Sequence, residues 1–558
     1  MKRGLARSGT AAAVLVLFAG ASMAQQSPDD IAQLKAQVQQ LQQQLQTLAK
    51  KLDEVTTAKN AAPAATTATA NGASDAITPN PAPQPVRPLI ASTTPMIAPP
   101  PPVTRPSASP LKPPVAGPMP YQNPIPESPL QIKIGDAYIT PIGFMDFTGV
   151  WRNKNDGGSI GTSFGSIAYG NVYQTNLSEF RLSMQNSRVG FRVDAMVKGA
   201  HVIGYMEADF LGNNPPNVLV SSDSNTMRSR VYWVDIAKNN WEVLGGQTWS
   251  LMTPGRTGIS PLPQNLFYTQ DIDVNYQAGL VWGRIPEFRL VYHAGDKAAI
   301  AIALDNPEQY VGGSSGGPVP TFPAALTTYP GGELNNGTNT TGVPNVAPDV
   351  IAKVALDPSK RAHIEFGGVE RNFKVWNPNN QTHYSAQGAG GFLNMNFEVV
   401  KGLRLVTNNY WSDGGGRYIF GQVPDLIARA DGSLSPIHTG STVSGFEYTQ
   451  KNTFVYAYYG GIYVQRNSAL DANGKTLVGY GYTGSAATNN RTIQEATFGM
   501  TQTLWRDPKY GALQLMFQYS YLQRNPWYVA TGQPSNANVN MVFWNLRYLL
   551  PGIPPTLK

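Results

Sequence analysis

The sequence is poor in the residues on which most soluble enzymes and disulfide-bonded proteins depend. It contains no cysteine, which excludes disulfide bonds and thiolate metal sites. Charged residues make up 14% of the chain, whereas ordinary soluble domains contain about 25%. The five histidines show no metal-ligand spacing, and there is no G-x-S-x-G motif. We therefore predict no metal site, no cofactor and no enzymatic activity.

The chain also lacks long apolar runs. After residue 24, no apolar run reaches the ~20 residues that a membrane-spanning helix needs. Before that point, three basic residues precede an apolar segment from Ala11 to Ala19, and Ser22-Met23-Ala24 offers small residues for cleavage. This pattern predicts an export signal peptide over residues 1–24. The apolar segment is too short for the alternative, an N-terminal membrane anchor.

A heptad pattern follows the signal peptide. Ser27 is a good helix N-cap, and Pro28 occupies the first helical position. Apolar residues then recur at alternating spacings of three and four, which is typical of a coiled coil. A single amphipathic helix docked on the rest of the protein is the alternative, but the strict repeat favours self-association. We predict a short α-helical coiled coil over residues 27–56, with core residues Ile31, Leu34, Val38, Leu41, Leu45, Leu48, Leu52 and Val55.

Residues 57–129 have the composition of a linker. They are rich in alanine and threonine, then in proline, including Pro99 to Pro102. They carry almost no charge and show no apolar period, so they cannot build a core. Their P-x-x-P spacings are compatible with ligands of a binding domain, but a partly extended spacer is the simpler interpretation.

The remaining residues, 130–558, read as a long series of short alternating strands. Short turns and long loops alternate between them, and the long loops are rich in Gly, Asn, Ser and Pro. Such a meander predicts an all-β fold, an antiparallel transmembrane β-barrel of about 16 strands. The sixteen predicted strands are 141–151, 180–194, 201–211, 227–237, 241–250, 279–293, 298–305, 349–357, 361–373, 385–399, 403–412, 442–450, 453–466, 492–505, 510–524 and 539–549.

Alternation within the strands distinguishes an outward face from an inward one. In the strand 510–524, Leu515, Phe517 and Tyr519 form an apolar face, and Gln514 and Gln518 lie on the other. A soluble sandwich would also alternate. It would not need the aromatic residues that recur at strand ends and suit the two membrane interfaces, namely Trp151, Trp241, Trp411, Trp505 and Trp544.

Two strands fit this pattern poorly. In 180–194 the apolar positions change from even to odd, which predicts a bulge or an upper segment outside the membrane. The strand 298–305 is rich in alanine, which we interpret as a contact with a neighbouring subunit.

The fifth predicted strand ends in Gly-Gln-Thr-Trp-Ser at 246–250, before a loop rich in proline, glycine and aspartate. With this motif and with residues 187–191, 205–212 and 303–307, the chain resembles the trimeric outer-membrane porins, most closely the DcaP-like family for dicarboxylates. The matching stretches cover the first half of the barrel. The resemblance implies a homotrimer with a periplasmic coiled coil, a linker and a sixteen-stranded barrel. It also implies that the loop after the fifth strand folds into the lumen and narrows it.

Selectivity of such a channel comes from charged side chains in the lumen. Strand parity directs several arginines inward, and one arginine lies on the loop after the fifth strand. Arginine suits carboxylates because its planar fork binds both oxygens. Two acids on the third strand also point inward, where they would neutralise some of this charge. The candidate pore-lining residues are the cations Arg188, Arg192, Arg228, Arg230, Arg256 and Arg289 and the acids Glu207 and Asp209.

These observations predict an outer-membrane diffusion porin, with lipid, small anionic solutes such as dicarboxylates and a homotrimer as its partners. The alternatives are a phosphate-selective porin and a structural tether between the outer membrane and the cell wall. The net charge is +7, but the basic residues are scattered singly, which is inconsistent with nucleic acid as a partner. The predicted location is the outer membrane of a Gram-negative type of cell, with the coiled coil in the periplasm.

Overall fold

The computed structural model describes residues 128–552, apart from 157, 213–224, 268–271, 314–316, 327–332, 337–344 and 378. Sixteen antiparallel strands of this part form one barrel. They are β1 (Ala137–Arg152), β2 in two segments (Glu179–Ser183 and Arg188–Val197), β3 (Ala200–Asp209), β4 (Arg228–Lys238), β5 (Trp241–Trp249), β6 (Arg284–His293), β7 (Ala298–Asp305), β8 (Asp349–Ser359), β9 (Ala362–Asn377), β10 (Thr382–Val400), β11 (Leu403–Asp413), β12 (His438–Gln450), β13 (Thr453–Val464), β14 (Asn490–Asp507), β15 (Gly511–Pro526) and β16 (Ala537–Leu549).

The barrel closes because its last strand pairs with its first. The pairing runs from Phe144 opposite Leu549 to Arg152 opposite Met541. Each intermediate strand pairs with the next one in the chain, so the sheet has no free edge, as a membrane barrel requires. The predicted count of sixteen strands is confirmed.

Tight turns join the strands at one end of the barrel and, with one exception, longer loops join them at the other. The long-loop connections are L1 (153–178), L2 (210–227), L3 (250–283), L4 (306–348), L5 (378–381), L6 (414–437), L7 (465–489) and L8 (527–536). L5 is the exception: β9 and β10 continue pairing up to Asn377 opposite Thr382, so a tight turn stands where the sequence predicted a longer loop.

Side chains alternate between the two faces of the wall as the sequence predicted. On β15, Phe517 is 45% exposed on the outside, whereas Gln518 is 2% exposed on the inside. Tyr519 is again exposed. A polar lumen and an apolar outer face are the pattern of a barrel in lipid.

The two poorly fitting strands have separate explanations. Residues 184–187 interrupt β2, and each of its segments pairs with a different part of β1, which accounts for the change of parity. The alanine-rich strand β7 turns its alanines inwards and exposes Ile300, Ile302 and Leu304 on its outer face, so contact of this face with a neighbouring subunit stays a prediction. Its alanines, among them Ala301 and Ala303, are buried on the inner face and pack with Leu251 and Met252 of L3. Small side chains on this wall let L3 lie close against it.

Outside the barrel wall, the described residues contain only short elements. The short helices are 3-10 turns at Tyr173–Asn176, Pro263–Asn265, Ala324–Leu326 and Gly416–Tyr418. The short strands are Ile132–Ile134, which pairs with β1, Leu426–Ala428 with Leu434–Pro436, and Asn467–Leu470 with Leu477–Tyr480. None of the helices in this part of the chain has the length and apolar composition to cross a membrane. The predicted signal peptide, coiled coil and nearly all of the linker lie outside the described residues.

Candidate functional site

L3 leaves the wall after β5 and crosses the lumen. The first half of L3 forms hydrogen bonds with side chains of β8 and β12. The Arg256 guanidinium donates two hydrogen bonds of 2.8 Å to the Glu447 carboxylate on β12. The backbone N–H of Gly258 donates to Asp357 on β8 at 2.8 Å. Lys353, also on β8, donates to the carbonyl of Thr253 at 2.9 Å. Charge-assisted bonds of this kind are about twice as strong as neutral ones, so this part of L3 is held firmly.

The second half of L3 reaches the wall near the end of the chain. The Ile272 N–H donates to the Gln518 side chain on β15 at 3.1 Å, and the Ala278 N–H donates to Glu495 on β14 at 2.8 Å. Contact with β13 is tighter still. A Cβ atom at Gly460 would lie 1.9 Å from the Ala278 carbonyl oxygen, so only glycine fits there. L3 therefore spans the lumen, as the family resemblance implied.

Asp273 joins L3 to L1 in the interior. Its carboxyl accepts hydrogen bonds from the Thr162 N–H at 3.2 Å, from the Thr162 hydroxyl, and from the Asn275 N–H at 2.8 Å. The side chain is fully buried. Burial raises the pKa of Asp273 to about 6, although the hydrogen bonds from Thr162 favour the charged form. This loop contact therefore changes its charge near neutral pH.

L6 also enters the lumen and contacts L3. The backbone N–H of Trp282 donates to the backbone carbonyl of Tyr418 at 3.1 Å. The rings of Trp282 and Phe420 stack with their centres 4.3 Å apart. Phe420 has a φ of +38°, a strained value for a residue that is not glycine. Asp425 anchors L6 to the wall through an ion pair of 2.7 Å with Arg371 on β9. The lumen is thus narrowed by two loops that support each other.

Three predicted arginines lie together on the wall formed by β2 to β4. Arg230 pairs with Glu207 at 2.7 Å and with Asp209 at 2.6 Å. Arg228 pairs with Asp209 at 2.7 Å, and Arg188 lies 3.5 Å from Glu207. The prediction that these two acids neutralise part of the lumen charge agrees with these distances. Arg188 and Arg228 keep 19% and 39% of their side chains exposed.

The other three predicted arginines also face the interior, but each is paired elsewhere. Arg192 donates to Asp194 on the same strand at 2.8 and 2.9 Å. Arg256 is bound to Glu447, as described above. Arg289 lies 2.5 Å from Glu287 on the same strand. Because each of these three cations is paired with a carboxylate, it attracts a passing anion only weakly.

Arg284, which the sequence did not single out, differs from all six. It is the first residue of β6 and lies opposite Trp249, at the point where L3 returns to the wall. Its guanidinium lies 5.6 Å from the ring centres of both Trp249 and Trp282. Within the described residues it forms no ion pair, and its buried Nη1 atom has no hydrogen-bond partner. By strand parity Arg284 belongs with Pro286 and Phe288, which face outwards. Alternation in the sequence therefore did not predict that Arg284 lies at the inner wall.

Arg284 interacts electrostatically with Arg228, Arg230 and Asp209. Together with Arg188 and the acid Glu207, these residues form one group, which we call the root cluster. Four arginines and two carboxylates give it a net charge of +2.

No protein-family model and no curated protein matches the sequence. Among solved structures, the outer membrane channel DcaP of Acinetobacter baumannii is similar, with a TM-score of 0.52 and 16% identity over 75% of this chain and 98% of that one. The barrel has the fold of DcaP. At this identity the likeness concerns the fold alone.

Two further solved porins superpose less well on this barrel. The anion-selective porin from Comamonas acidovorans has a TM-score of 0.44 and 11% identity, over 74% of this chain and 99% of that one. OmpT of Vibrio cholerae has a TM-score of 0.40 and 11% identity, over 75% and 99%. The likeness to DcaP, and not these two weaker matches, confirms the porin fold that the sequence predicted.

Proposed function

We propose that this protein is a homotrimeric diffusion porin of the outer membrane that favours small anionic solutes such as dicarboxylates. The observation that carries the proposal is the net charge of +2 in the root cluster, on the lumen wall where L3 begins and ends. In a narrow, partly desolvated passage, the attraction between this charge and an anion is stronger than in bulk water. At about 4 Å and an effective dielectric constant of about 20, two unit charges interact with about 4 kcal/mol.

The architecture supports the diffusion part of the proposal. A sixteen-stranded barrel is wide enough for a water-filled lumen, and L3 reduces its width from the inside. The polar inner face offers hydrogen-bonding groups along the wall without a closed cage for one ligand. In the proposed protein the coiled coil of residues 27–56 lies in the periplasm and adds to the self-association of the barrel.

Reversal potentials of the purified protein in planar bilayers test the selectivity. In a KCl gradient we expect anion preference at low salt, which weakens as the salt concentration rises because screening shortens the range of the field. Replacing Arg188→Gln and Arg228→Gln together removes two partly exposed charges of the root cluster. This double variant should shift the reversal potential towards cation preference.

A matched control is Arg506→Gln, because Arg506 is an exposed arginine at the short-turn end of β14. It removes one exposed arginine charge outside the root cluster and should leave the reversal potential unchanged. If the wild-type channel already prefers cations, Glu207 and Asp209 dominate the field and the proposed anion preference is wrong.

A further inference from the structure

A small cavity lies where L3 leaves and rejoins the barrel wall. It is lined by Leu266, Phe267, Pro254 and Leu280 and by the polar-tipped side chains of Trp249, Thr253, Tyr276 and Trp282. Its volume is about 10 Å³, which leaves room for one particle of the size of a water molecule. Anything bound there must therefore be a single small molecule or ion.

Three of the lining side chains carry hydrogen-bond donors that lack a partner. They are the indole N–H groups of Trp249 and Trp282 and the hydroxyl of Thr253. These side chains are 6%, 5% and 7% exposed, so bulk solvent does not satisfy the donors. A buried donor without an acceptor costs about 1 to 3 kcal/mol. Three such groups around one cavity indicate an acceptor that binds between them.

The charge around the cavity is positive. The guanidinium of Arg284 lies 5.6 Å from the ring centres of both Trp249 and Trp282, and its own Nη1 is buried without a partner. Arg230 donates to the Tyr276 hydroxyl at 3.4 Å from the neighbouring strand. The lining residues include no carboxylate. The acceptor is therefore best matched by an anion.

We propose that this cavity is a binding site for one halide ion, chloride under ordinary conditions, held by Thr253, Trp249 and Trp282 beside Arg284. A halide accepts several hydrogen bonds and needs no acceptor in return. A water molecule accepts at most two hydrogen bonds, so it would leave one of the three donors unpaired, and it carries no charge to balance Arg284. Organic carboxylates and phosphate are too large for the volume. The ion joins the two ends of L3, so its binding stabilises the loop in the lumen.

Bromide is a direct probe of this site. In crystals of the full chain grown with sodium bromide in place of chloride, the anomalous signal should show a bromide ion within hydrogen-bonding distance of the Thr253 hydroxyl and of at least one indole N–H. An ordered water molecule in the cavity, or no density there, would overturn the proposal.

The thermal unfolding midpoint of the full chain in detergent gives a second readout. It should rise when chloride replaces gluconate at constant ionic strength, because the ion binds only the folded protein. Thr253→Val keeps the shape of the side chain, Trp282→Phe keeps an aromatic ring, and each variant removes one donor. Loss of one hydrogen bond to a charged group should weaken the apparent chloride affinity about tenfold or more.

Thr501→Val is the matched control, because the Thr501 hydroxyl is also buried without a partner but lies on β14, away from the cavity. Its chloride dependence should equal that of the wild type. Equal chloride dependence in all four proteins would overturn the site. This test is independent of permeation: a channel without anion preference that still binds bromide here refutes the proposed function and keeps the halide site.

Discussion

Arginines of the lumen differ mainly in the acids that hold them. Arg192, Arg256 and Arg289 each face a carboxylate at 2.5 to 2.8 Å. The mutual attraction within such a pair is offset by the desolvation of both charges, so the pair fixes the geometry more than it attracts a passing ion. Arg284 lies instead beside two aromatic rings and forms no ion pair within the described residues. The charge that acts on a solute therefore depends on pairing, which residue type does not reveal.

Asp273 is a loop residue whose charge depends on pH. Its pKa is about 6 in the folded protein, against a usual value of 3.8. Between these two pH values the folded chain keeps a proton that the unfolded chain has released. The contribution of this group to stability is therefore full below pH 4 and is lost as the pH rises to about 6. Two pKa units correspond to about 3 kcal/mol.

We predict that Asp273→Asn removes this dependence, because the amide stays neutral at every pH. The free energy of unfolding in urea, measured from pH 4 to pH 7, should fall for the wild type relative to the variant. Asp431→Asn is the control, since Asp431 is exposed and the hydrogen bonds it accepts from Ser433 lower its pKa below this window. A constant difference between wild type and Asp273→Asn would contradict the prediction.

Among the elements, L3 is the loop that crosses the lumen and narrows it. It has little secondary structure of its own, and only the 3-10 turn Pro263–Asn265 is regular in its described residues. Its position comes from hydrogen bonds to side chains on the wall, such as Glu447 on β12 and Glu495 on β14. The small alanines of β7 and the glycine at 460 provide the space that it occupies. Wall and loop are therefore fitted to each other.

Gly460→Ala tests this fit. The added Cβ would meet the Ala278 carbonyl and displace L3 from β13, which breaks the nearby bond from Ala278 to Glu495. We expect more open-channel noise in single-channel recordings, because a loop that has lost an anchor moves more freely, while the barrel still folds.

The neighbouring Gly461 supplies the control. A Cβ atom there meets only Thr442 at 3.8 Å, an ordinary contact. Gly461→Ala should therefore record like the wild type. Equal noise in the two variants would mean that contact between L3 and β13 does not limit the motion of the loop.

For the whole molecule, we predict that the barrel forms trimers independently of the coiled coil. The heptads from Ile31 to Val55 predict self-association, and the closed barrel pairs all its strands within one chain. We predict that a chain lacking residues 25–129 still folds and still forms heat-modifiable trimers in detergent. Cross-linking and gel migration with and without heating measure this. Monomers alone would show that the coiled coil is required for assembly.

Much of the barrel followed from the sequence. Alternation with a period of two, tight turns and long loops gave all sixteen strands, because the two faces of a membrane wall have opposite polarity at every position. The same parity placed Gln518 inside and Phe517 outside, and it directed Arg188, Arg230 and Arg289 inward. Local pattern is sufficient for these features because each depends on only a few neighbouring residues.

Other features of the lumen depend on the tertiary structure, and the alternation of the sequence did not predict them. Which acid meets which arginine depends on strand register and loop path: Arg256 and Glu447 are far apart in the chain and pair across the lumen. The alanines of β7 face inward because L3 packs on them, which composition alone did not predict. The position of Arg284 beside two aromatic rings, and the cavity next to it, depend on L3, because L3 brings Trp282 back to Trp249. Contacts of this kind join distant residues, and no local period records them.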